Sequence, residues 1–219
     1  MIIKLGVRCM RLLKVSKEAI RVAALMIEDG NLVIYPTDTV YGLGCNPLDD
    51  VAVSRVFLLK GRKDVPVPIL GDSMESLEKI AEFDEVAYEF CSVFWPGALS
   101  VVLPKKLPLE KITCGGPTVA VRIPASQVAI ELARLSGGLL VGTSANVSGM
   151  PPACDVSELD KRVAEGVKIV LDGGRCVHCT ASTVVKIEGK TVKVLREGVM
   201  PLSTIKDRVA KARLDVKLE

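Results

Sequence analysis

Apolar residues recur along the chain with two periods, one typical of helices and one typical of buried strands. After Ser16, which can cap a helix, apolar residues fall on one helical face as far as Gly30, which can end it. A short apolar strand over 32–35 follows and stops at Pro36. The first part of the chain therefore predicts a helix followed by a buried strand.

The rest of the chain continues this alternation. Further helices are expected from 49 or 50 to 60, over 74–82 and 85–94, from Ser126 onward, over 156–165, and from Pro201, a residue suited to a first helical turn. Strands are expected over 67–70, 99–103, 119–123, 139–142 and 168–171, and as a hairpin-like pair over 183–187 and 192–195. Continuous apolar strands between helices predict an α/β fold whose sheet is covered on both faces. The late hairpin predicts a mixed, largely parallel sheet.

Length and composition restrict the class of protein. A chain of 219 residues suits one large domain, or one domain with an appendage. Hydrophobic residues at 49% and charged residues at 25% exclude a disordered or collagen-like chain. No apolar run is long enough for a membrane span, and basic residues interrupt any signal peptide near the N-terminus. We expect a cytoplasmic protein with no membrane partner and a single domain over 1–219, with its core at about 16–198 and a basic C-terminal helix at about 201–213.

Charge is unevenly distributed. The formal net charge is +3, but residues 1–21 carry +5, residues 191–219 carry +3, and the middle is near −5. Basic termini can contact an RNA backbone weakly, or they can simply be solvated surface.

The seven cysteines do not form a disulfide scaffold, because their number is odd and the chain is long. Cys176 and Cys179 flank His178, the only histidine, in a spacing that resembles half of a zinc site. No second such pair supplies the missing ligands, although a distant residue such as Cys114 could. We therefore expect a structural turn that binds no metal.

Polar clusters follow several strands, which is where α/β folds place their ligands. Each cluster has a structural and a functional interpretation. Lys60 and Arg62 can complement a helix dipole or hold phosphates. Arg122, inside an apolar strand, needs either an anionic ligand or a structural carboxylate. The clusters lie at 35–44, 60–63, 118–124, 142–149, 181–185 and 195–198. The chain contains no P-loop, dinucleotide-binding or zinc-protease motif, and one histidine gives no basis for a serine triad.

Taken together and in order, these clusters resemble the YrdC-like family, the threonylcarbamoyl-adenylate synthases. The matching stretches are PTDTVYGLG at 36–44, KGR at 60–62, PTVAVRIP at 117–124, TSANVSG at 143–149, DGG at 172–174, STVV at 182–185 and LREG at 195–198. The resemblance spans most of the chain, from roughly Ser16 to Gly198. The resemblance implies a three-layer α/β fold around a twisted mixed sheet, in the single-domain form of the family.

The resemblance also implies an activity. Such nucleotidyltransferases make threonylcarbamoyl-AMP and pyrophosphate from L-threonine, bicarbonate and ATP, with Mg²⁺ accompanying the ATP. A downstream tRNA threonylcarbamoyl transferase complex uses the product to modify tRNA. Carried onto this sequence, the catalytic residues are Lys60 and Arg62. The residues expected to bind threonine are Thr39, Arg122, Ser144 and Ser182, and those expected to bind the nucleotide are Lys60, Arg62, Thr118, Asn146 and Arg196.

This sequence departs from the family pattern in three places. Residues 63–66 replace a proline and a polar residue, which leaves one nucleotide contact unassigned. Cys154 stands in a loop that usually offers serine or threonine, and Cys179 stands where a glycine is usual.

Two alternative functions remain. One is an RNA-binding protein without catalysis, although aromatic residues, which stack on RNA bases, make up only 4% of the chain. The other is a carbamoyl-adenylate-forming module like that of the longer hydrogenase-maturation proteins.

Overall fold

Strands and helices alternate through the protein, as the sequence predicts. The computed structural model describes residues 10–62 and 65–219. Its helices are α1 (Lys17–Glu28), α2 (Asp50–Lys60), α3 (Met74–Glu78), α4 (Glu85–Phe94), α5 (Glu110–Thr113), α6 (Gln127–Leu135), α7 (Lys161–Glu165) and α8 (Leu202–Ala212). Its strands are β1 (Arg11–Lys14), β2 (Val33–Tyr35), β3 (Gly42–Gly44), β4 (Ile69–Gly71), β5 (Leu99–Pro104), β6 (Thr118–Arg122), β7 (Leu139–Val141), β8 (Thr143–Ser144), β9 (Ile169–Asp172), β10 (Thr183–Glu188), β11 (Thr191–Arg196) and β12 (Lys217–Leu218).

The strands form two sheets. One has the order β1-β9-β2-β3-β8 and the other the order β12-β11-β10-β5-β6-β4-β7. The mixed α/β class is confirmed, but the expected single, largely parallel sheet is divided in two. Among the described residues, five strand pairings are parallel and five are antiparallel. Some antiparallel pairings, such as β2–β3 and the β10–β11 hairpin, are short chain reversals, whereas β3–β8 and β4–β7 join strands that are far apart in sequence.

Side-chain caps begin several of the predicted helices. Ser16 accepts a hydrogen bond from the Ala19 N–H, and Ser126 accepts one from the Ala129 N–H. The helices α1 and α6 that these caps begin share one cluster of buried apolar residues with β2 and β9. A second, larger cluster joins α2, α4 and α8 to strands of both sheets. Burial of both clusters holds the sheets in fixed positions, which matters because residues of both sheets form the site described below.

Several boundaries differ from the sequence prediction. The helix expected over 74–82 ends at Glu78, and the one expected over 156–165 is a 3₁₀ turn, Val156–Glu158, followed by α7. Asp160 caps α7 by accepting a hydrogen bond from the Val163 N–H, which is why the two segments are separate. The C-terminal helix forms at Leu202–Ala212, close to the expected range. Of the basic N-terminal stretch, residues 1–9 lie outside the described residues.

No helix in the described part of the chain has the length and apolar character needed to cross a membrane.

Candidate active site

A cavity of about 420 Å³ is lined by residues of both sheets. The seven-stranded sheet supplies side chains from β5, β6, β10 and β11, and the five-stranded sheet supplies β8. Seven of the nine residues that the family resemblance proposed for binding line this cavity, although they come from six separate stretches of sequence. They are Thr39, Arg62, Thr118, Arg122, Ser144, Ser182 and Arg196.

Arg62 reaches the cavity because α2 ends at Lys60, two residues before it. Gly61 adopts a left-handed conformation, with φ at 61°, and ends the helix between Lys60 and Arg62. The Nη2 of Arg62 donates to the Pro66 carbonyl at 2.8 Å. Its buried Nε has no acceptor among the described residues. Residues 63 and 64, where the sequence departs from the family pattern, lie outside the described residues.

Arg196 approaches from β11, close enough to influence Arg62. Its Nη2 donates to the Ser182 carbonyl at 2.8 Å, and burial lowers its pKa. Burial also lowers the pKa of Arg62, and the charge of Arg196 adds to that effect. Within the described residues neither guanidinium has a carboxylate partner. Two unpaired cations facing one cavity make this region suitable for a polyanion.

Gly198 allows the segment after β11 to pack against the cavity wall. A Cβ atom at this position would lie 2.1 Å from the Ala181 carbonyl oxygen, so no other residue fits without moving the backbone. Thr183 also holds this segment, because its hydroxyl accepts the Gly198 N–H at 2.9 Å and donates to the Met200 carbonyl at 2.6 Å. This packing explains why the STVV and LREG stretches occur together.

Lys60 and Asn146 lie behind the cavity wall. Lys60 is only 1% exposed, and its Nζ donates to the backbone carbonyls of Ser144 at 2.6 Å and Asn146 at 3.0 Å. Ser144 donates its hydroxyl proton to the Asn146 side-chain oxygen at 2.5 Å. Burial, with a smaller effect from Arg62, lowers the pKa of Lys60 to about 8. The geometry therefore makes Lys60 a support of the 143–149 loop, not a group that faces the cavity.

Arg122 has a structural carboxylate, which is one of the two interpretations of its sequence position. Its Nη2 lies 2.5 Å from both carboxylate oxygens of Asp38, and its Nε donates to the Gly97 carbonyl at 2.7 Å. Its Nη1 donates to the Thr39 hydroxyl at 3.3 Å. Arg122 still lines the cavity, but its charge is already balanced by Asp38. The binding of threonine by Arg122, which the resemblance implies, stays a prediction.

Sequence reasoning missed two polar residues of the site, Asp38 and Ser100. Ser100 lines the cavity from β5 and lies 3.0 Å from Ser182, hydroxyl to hydroxyl. The signal for Ser100 was a buried serine within an otherwise apolar strand, and the signal for Asp38 was an acidic residue beside Thr39. The floor of the cavity is apolar and comes from alternate residues of three strands: Val102, Ala120 and Val184.

The cysteine turn lies next to this wall. Cys179 has a left-handed backbone, with φ at 52°, which explains why a glycine is usual here. Its thiol donates to the Cys176 carbonyl at 3.3 Å, and the Cys176 N–H donates to the Cys154 carbonyl at 2.8 Å. In residues 10–62 and 65–219, no three His, Cys, Asp or Glu side chains are grouped to hold a metal ion.

Comparison with known proteins agrees with the motifs. The Sua5/YciO/YrdC family model, described as telomere recombination, matches residues 25–198. A threonylcarbamoyl-AMP synthase of Pyrococcus abyssi is 38% identical over 204 residues, which cover 92% of this chain and 60% of that protein. One of Bacillus subtilis is 34% identical over 184 residues, which cover 80% of this chain and 52% of that protein. This chain thus spans half to three-fifths of the length of these relatives.

A solved structure gives the same result. The crystal structure of Pyrococcus abyssi Sua5 complexed with L-threonine superposes with a TM-score of 0.84 at 37% identity, over 96% of this chain and 62% of that one. The family model matches residues 25–198, a range that includes every residue lining the cavity. The chain belongs to the Sua5/YciO/YrdC family.

Proposed function

We propose that this protein is a threonylcarbamoyl-AMP synthase, a nucleotidyltransferase that uses L-threonine, bicarbonate and ATP. The observation that supports this best is the pair of guanidinium groups, Arg62 and Arg196, that face a hydroxyl-lined cavity and have no carboxylate partner among the residues that the structure describes. The names of the relatives and the threonine bound to the Pyrococcus abyssi structure point to the same chemistry. Because this chain spans only part of those proteins, the activity is a proposal for this chain.

The proposed reaction has two steps. The threonine amine attacks the carbon of CO₂, loses a proton and becomes a carbamate. If bicarbonate is attacked instead, its C–OH bond breaks and the hydroxide leaves with the amine proton as water. A carbamate oxygen then attacks the α-phosphorus of ATP, the bond from that phosphorus to the bridging oxygen breaks, and pyrophosphate leaves with the electron pair. Arg62 and Arg196 would stabilise the negative charge that builds on the leaving group, since preorganised donors are most effective where charge develops.

The remaining residues would orient the two substrates. Thr118 and the apolar floor would support the nucleotide, and Ser144, Ser182 and Thr39 would bind threonine by hydrogen bonds. Lys60 and Asn146 would act indirectly, because they hold the backbone that carries Ser144. Positioning of this kind can supply a large part of a rate enhancement without an acid or base.

The chemistry of the cavity fits Mg²⁺ that arrives with the ATP. Its charged lining groups are arginines, and Asp38, the acidic residue next to the wall, is already bonded to Arg122. Mg²⁺ commonly binds through phosphate oxygens and waters with few protein ligands. When bound, it would neutralise phosphate charge, and Arg62 and Arg196 would hold the same phosphates from the protein side.

The product would pass to a tRNA threonylcarbamoyl transferase. An acyl adenylate of this kind is a reactive mixed anhydride, so we expect a downstream enzyme to use it on tRNA. Weak RNA contact through the basic terminal segments would be compatible with that transfer.

The test is pyrophosphate release with L-threonine, bicarbonate, ATP and Mg²⁺, each omitted in turn. We expect release to need all four and threonylcarbamoyl-AMP to accumulate. Equal release without threonine would overturn the assignment, and a preference for carbamoyl phosphate would favour the carbamoyl-adenylate alternative. RNA binding with no pyrophosphate release would favour an RNA-binding protein without catalysis.

A further inference from the structure

Three cysteines lie together beside the cavity wall, in the loop over 150–154 and the turn over 176–179. The Cys176 N–H donates to the Cys154 carbonyl at 2.8 Å, and the Cys179 thiol donates to the Cys176 carbonyl at 3.3 Å. The thiols of Cys154 and Cys179 also interact with each other. All three thiols are free in this structure. Two segments that are separate in sequence thus bring a pair of thiols together.

Cys179 is the thiol of this pair that an oxidant meets first. It is half-buried, in a turn whose Val177 is 81% exposed, whereas Cys154 is only 6% exposed. Arg175 places a positive charge beside the same thiol. Its bond to Glu158, at 2.7 Å, and then its charge interaction with Cys179 raise the pKa of Arg175. Partial exposure and a neighbouring positive charge are the two features that reactive cysteines share.

Other buried thiols are shielded from an oxidant. Burial raises the pKa of Cys45 to about 12 and also raises that of Cys91, and neither residue is exposed to solvent. Burial and the interaction with Cys179 raise the pKa of Cys154 to about 12. Cys154 is therefore a poor target for a free oxidant, but it is placed to attack an oxidised sulfur beside it.

We propose that Cys154 and Cys179 form an oxidation site, at which a peroxide joins them in a disulfide and a small thiol separates them again. Hydrogen peroxide suits the site because it is small enough to reach a half-buried thiol. Neither cysteine lines the cavity, so the oxidation site is independent of the proposed enzymatic function.

The oxidation takes two steps. The Cys179 sulfur attacks one peroxide oxygen and the O–O bond breaks, which gives a sulfenic acid and one water as the thiol proton goes to the departing oxygen. The Cys154 sulfur then attacks the sulfenic sulfur, the S–O bond breaks, and the hydroxyl group leaves with the Cys154 proton as a second water. The two thiols lose two electrons and the peroxide gains them. A small thiol reverses the link by two thiol–disulfide exchanges.

The link would fasten two segments that hold the 36–44 motif. The Tyr41 N–H donates to the carbonyl of Ala153, the residue before one cysteine of the pair, at 2.9 Å. The N–H of His178, the residue before the other cysteine, donates to the Asp38 carbonyl at 3.1 Å. A covalent link between these neighbours restricts the local openings that break both bonds, so both amide hydrogens should exchange more slowly with solvent.

The experiment oxidises the reduced full chain with hydrogen peroxide, blocks the remaining thiols by alkylation, and maps disulfides by mass spectrometry of a non-reduced digest. We expect a linked peptide that contains Cys154 and Cys179, lighter by two hydrogen atoms than the two reduced peptides and lost on treatment with dithiothreitol. Amide hydrogen exchange at Tyr41 and His178 should slow roughly 10-fold in the oxidised protein. In Cys154→Ser, dimedone, which labels sulfenic acids, should label Cys179.

Two variants are compared with the wild type. Cys179→Gly removes the reactive thiol, and glycine suits the left-handed backbone at this position. Cys114→Ser is the matched control, because Cys114 is also half-buried and also has φ at 52°. Peroxide should leave amide exchange in Cys179→Gly unchanged, whereas Cys114→Ser should form the link and show the same slowing as the wild type.

Several results would overturn the proposal. They are the absence of a link, a link from Cys179 to any other cysteine, and a dimedone label on Cys154 in Cys179→Gly. A Cys154–Cys179 link with unchanged exchange at Tyr41 and His178 would overturn the fastening of the two segments. None of these measurements uses a substrate, so their failure leaves the proposed enzymatic function unaffected, and a protein without pyrophosphate release leaves the oxidation site unaffected.

Discussion

The ammonium group of Lys60 lies 2.6 Å from the backbone carbonyl oxygen of Ser144. This bond joins the end of α2 to the end of β8, and the Ser148 N–H in the following loop donates to the Lys60 carbonyl at 3.0 Å. Two motifs that are 81 positions apart at their nearest points, KGR and TSANVSG, are thus held together by one lysine that does not face the cavity. A charged residue of a sequence motif can therefore contribute to a site by supporting its backbone, without facing the ligand.

Removal of this support should lower activity without removing a phosphate ligand. We expect Lys60→Met to reduce kcat/KM about 10²-fold, because the Ser144 hydroxyl would shift. The variant should bind pyrophosphate nearly as well as the wild type, since Arg62 and Arg196 remain. A large loss of pyrophosphate affinity in Lys60→Met would instead place Lys60 on the phosphates, as the family resemblance implied.

The same lysine should make stability depend on pH. Burial lowers its pKa to about 8 in the folded protein, while an unfolded lysine keeps its ordinary value of about 10.4. Between these values the unfolded state binds more protons, so the free energy of unfolding rises with pH over that window. Relative to Lys60→Met, the wild type should gain roughly 2 kcal/mol between about pH 7 and about pH 10, measured by denaturant unfolding. A constant difference between the two proteins would contradict the lowered pKa.

Arg62 and Arg196 should contribute to catalysis far more than to stability. Replacement of either by alanine is expected to cost roughly 2–4 kcal/mol of transition-state stabilisation, measured as the loss in kcat/KM. The free energy of unfolding should hardly fall, because neither group has a carboxylate partner within the described residues and the Arg62 Nε is unsatisfied. Arg134→Ala is the control, since Arg134 pairs with Glu131 on the exposed face of α6. Near-normal turnover in both cavity variants would refute the proposed phosphate role.

The two hydroxyls of Ser100 and Ser182 should act as one unit. They are 3.0 Å apart in the cavity wall, so loss of either leaves the other without its partner. We expect Ser182→Ala and Ser100→Ala each to raise the KM for threonine by roughly 10-fold, and the double variant to cost less than the product of the two. Ser92→Ala is the matched control, because the Ser92 hydroxyl only bonds back to Tyr88 on the exposed side of α4. If the double variant raised the KM by the product of the two single effects, the two hydroxyls would not act as one unit.

Much of the fold could be predicted because its signals are local. The caps at Ser16 and Ser126 and the apolar runs of β5 and β6 depend on neighbouring residues only. The division into two sheets could not be predicted, because it depends on pairings such as β3 with β8, which join residues 42–43 to 143–144. Strands of two or three residues, such as β3 and β8, have too few residues to show a period.

The candidate site was likewise predicted in part. The motifs identified seven cavity residues because most of them lie in strands or in segments that join strands, whereas Arg62 follows α2. They did not show that Arg122 is neutralised by Asp38, since an acidic residue 84 positions away gives no sequence signal of contact. Nor did they separate Lys60, which points inward, from Arg62, which lines the cavity, because the turn at Gly61 sends neighbouring residues of one motif in different directions.

Cys179 allows a test of the cysteine turn, because its left-handed backbone favours glycine whereas its thiol donates a hydrogen bond that glycine would lose. A residue other than glycine in the left-handed conformation costs roughly 1–2 kcal/mol, and Cys179 has φ at 52°. Cys179→Gly should therefore raise the free energy of unfolding by about 0.5–1 kcal/mol, after loss of the thiol bond to the Cys176 carbonyl. Cys179→Val should lower it, because a β-branched side chain tolerates this conformation poorly.

This outcome also decides between a structural turn and a metal site. We expect no zinc by elemental analysis of the purified protein, and the Cys176→Ser, Cys179→Ser double variant should have the same metal content as the wild type. If Cys179 were a zinc ligand, Cys179→Gly would lose a metal bond and the protein would become less stable, not more. Stoichiometric zinc that disappears in the double variant, together with a destabilised Cys179→Gly, would establish the turn as a metal site beside Ser182. A stabilised Cys179→Gly without zinc would establish that the left-handed turn alone accounts for the glycine preference at this position.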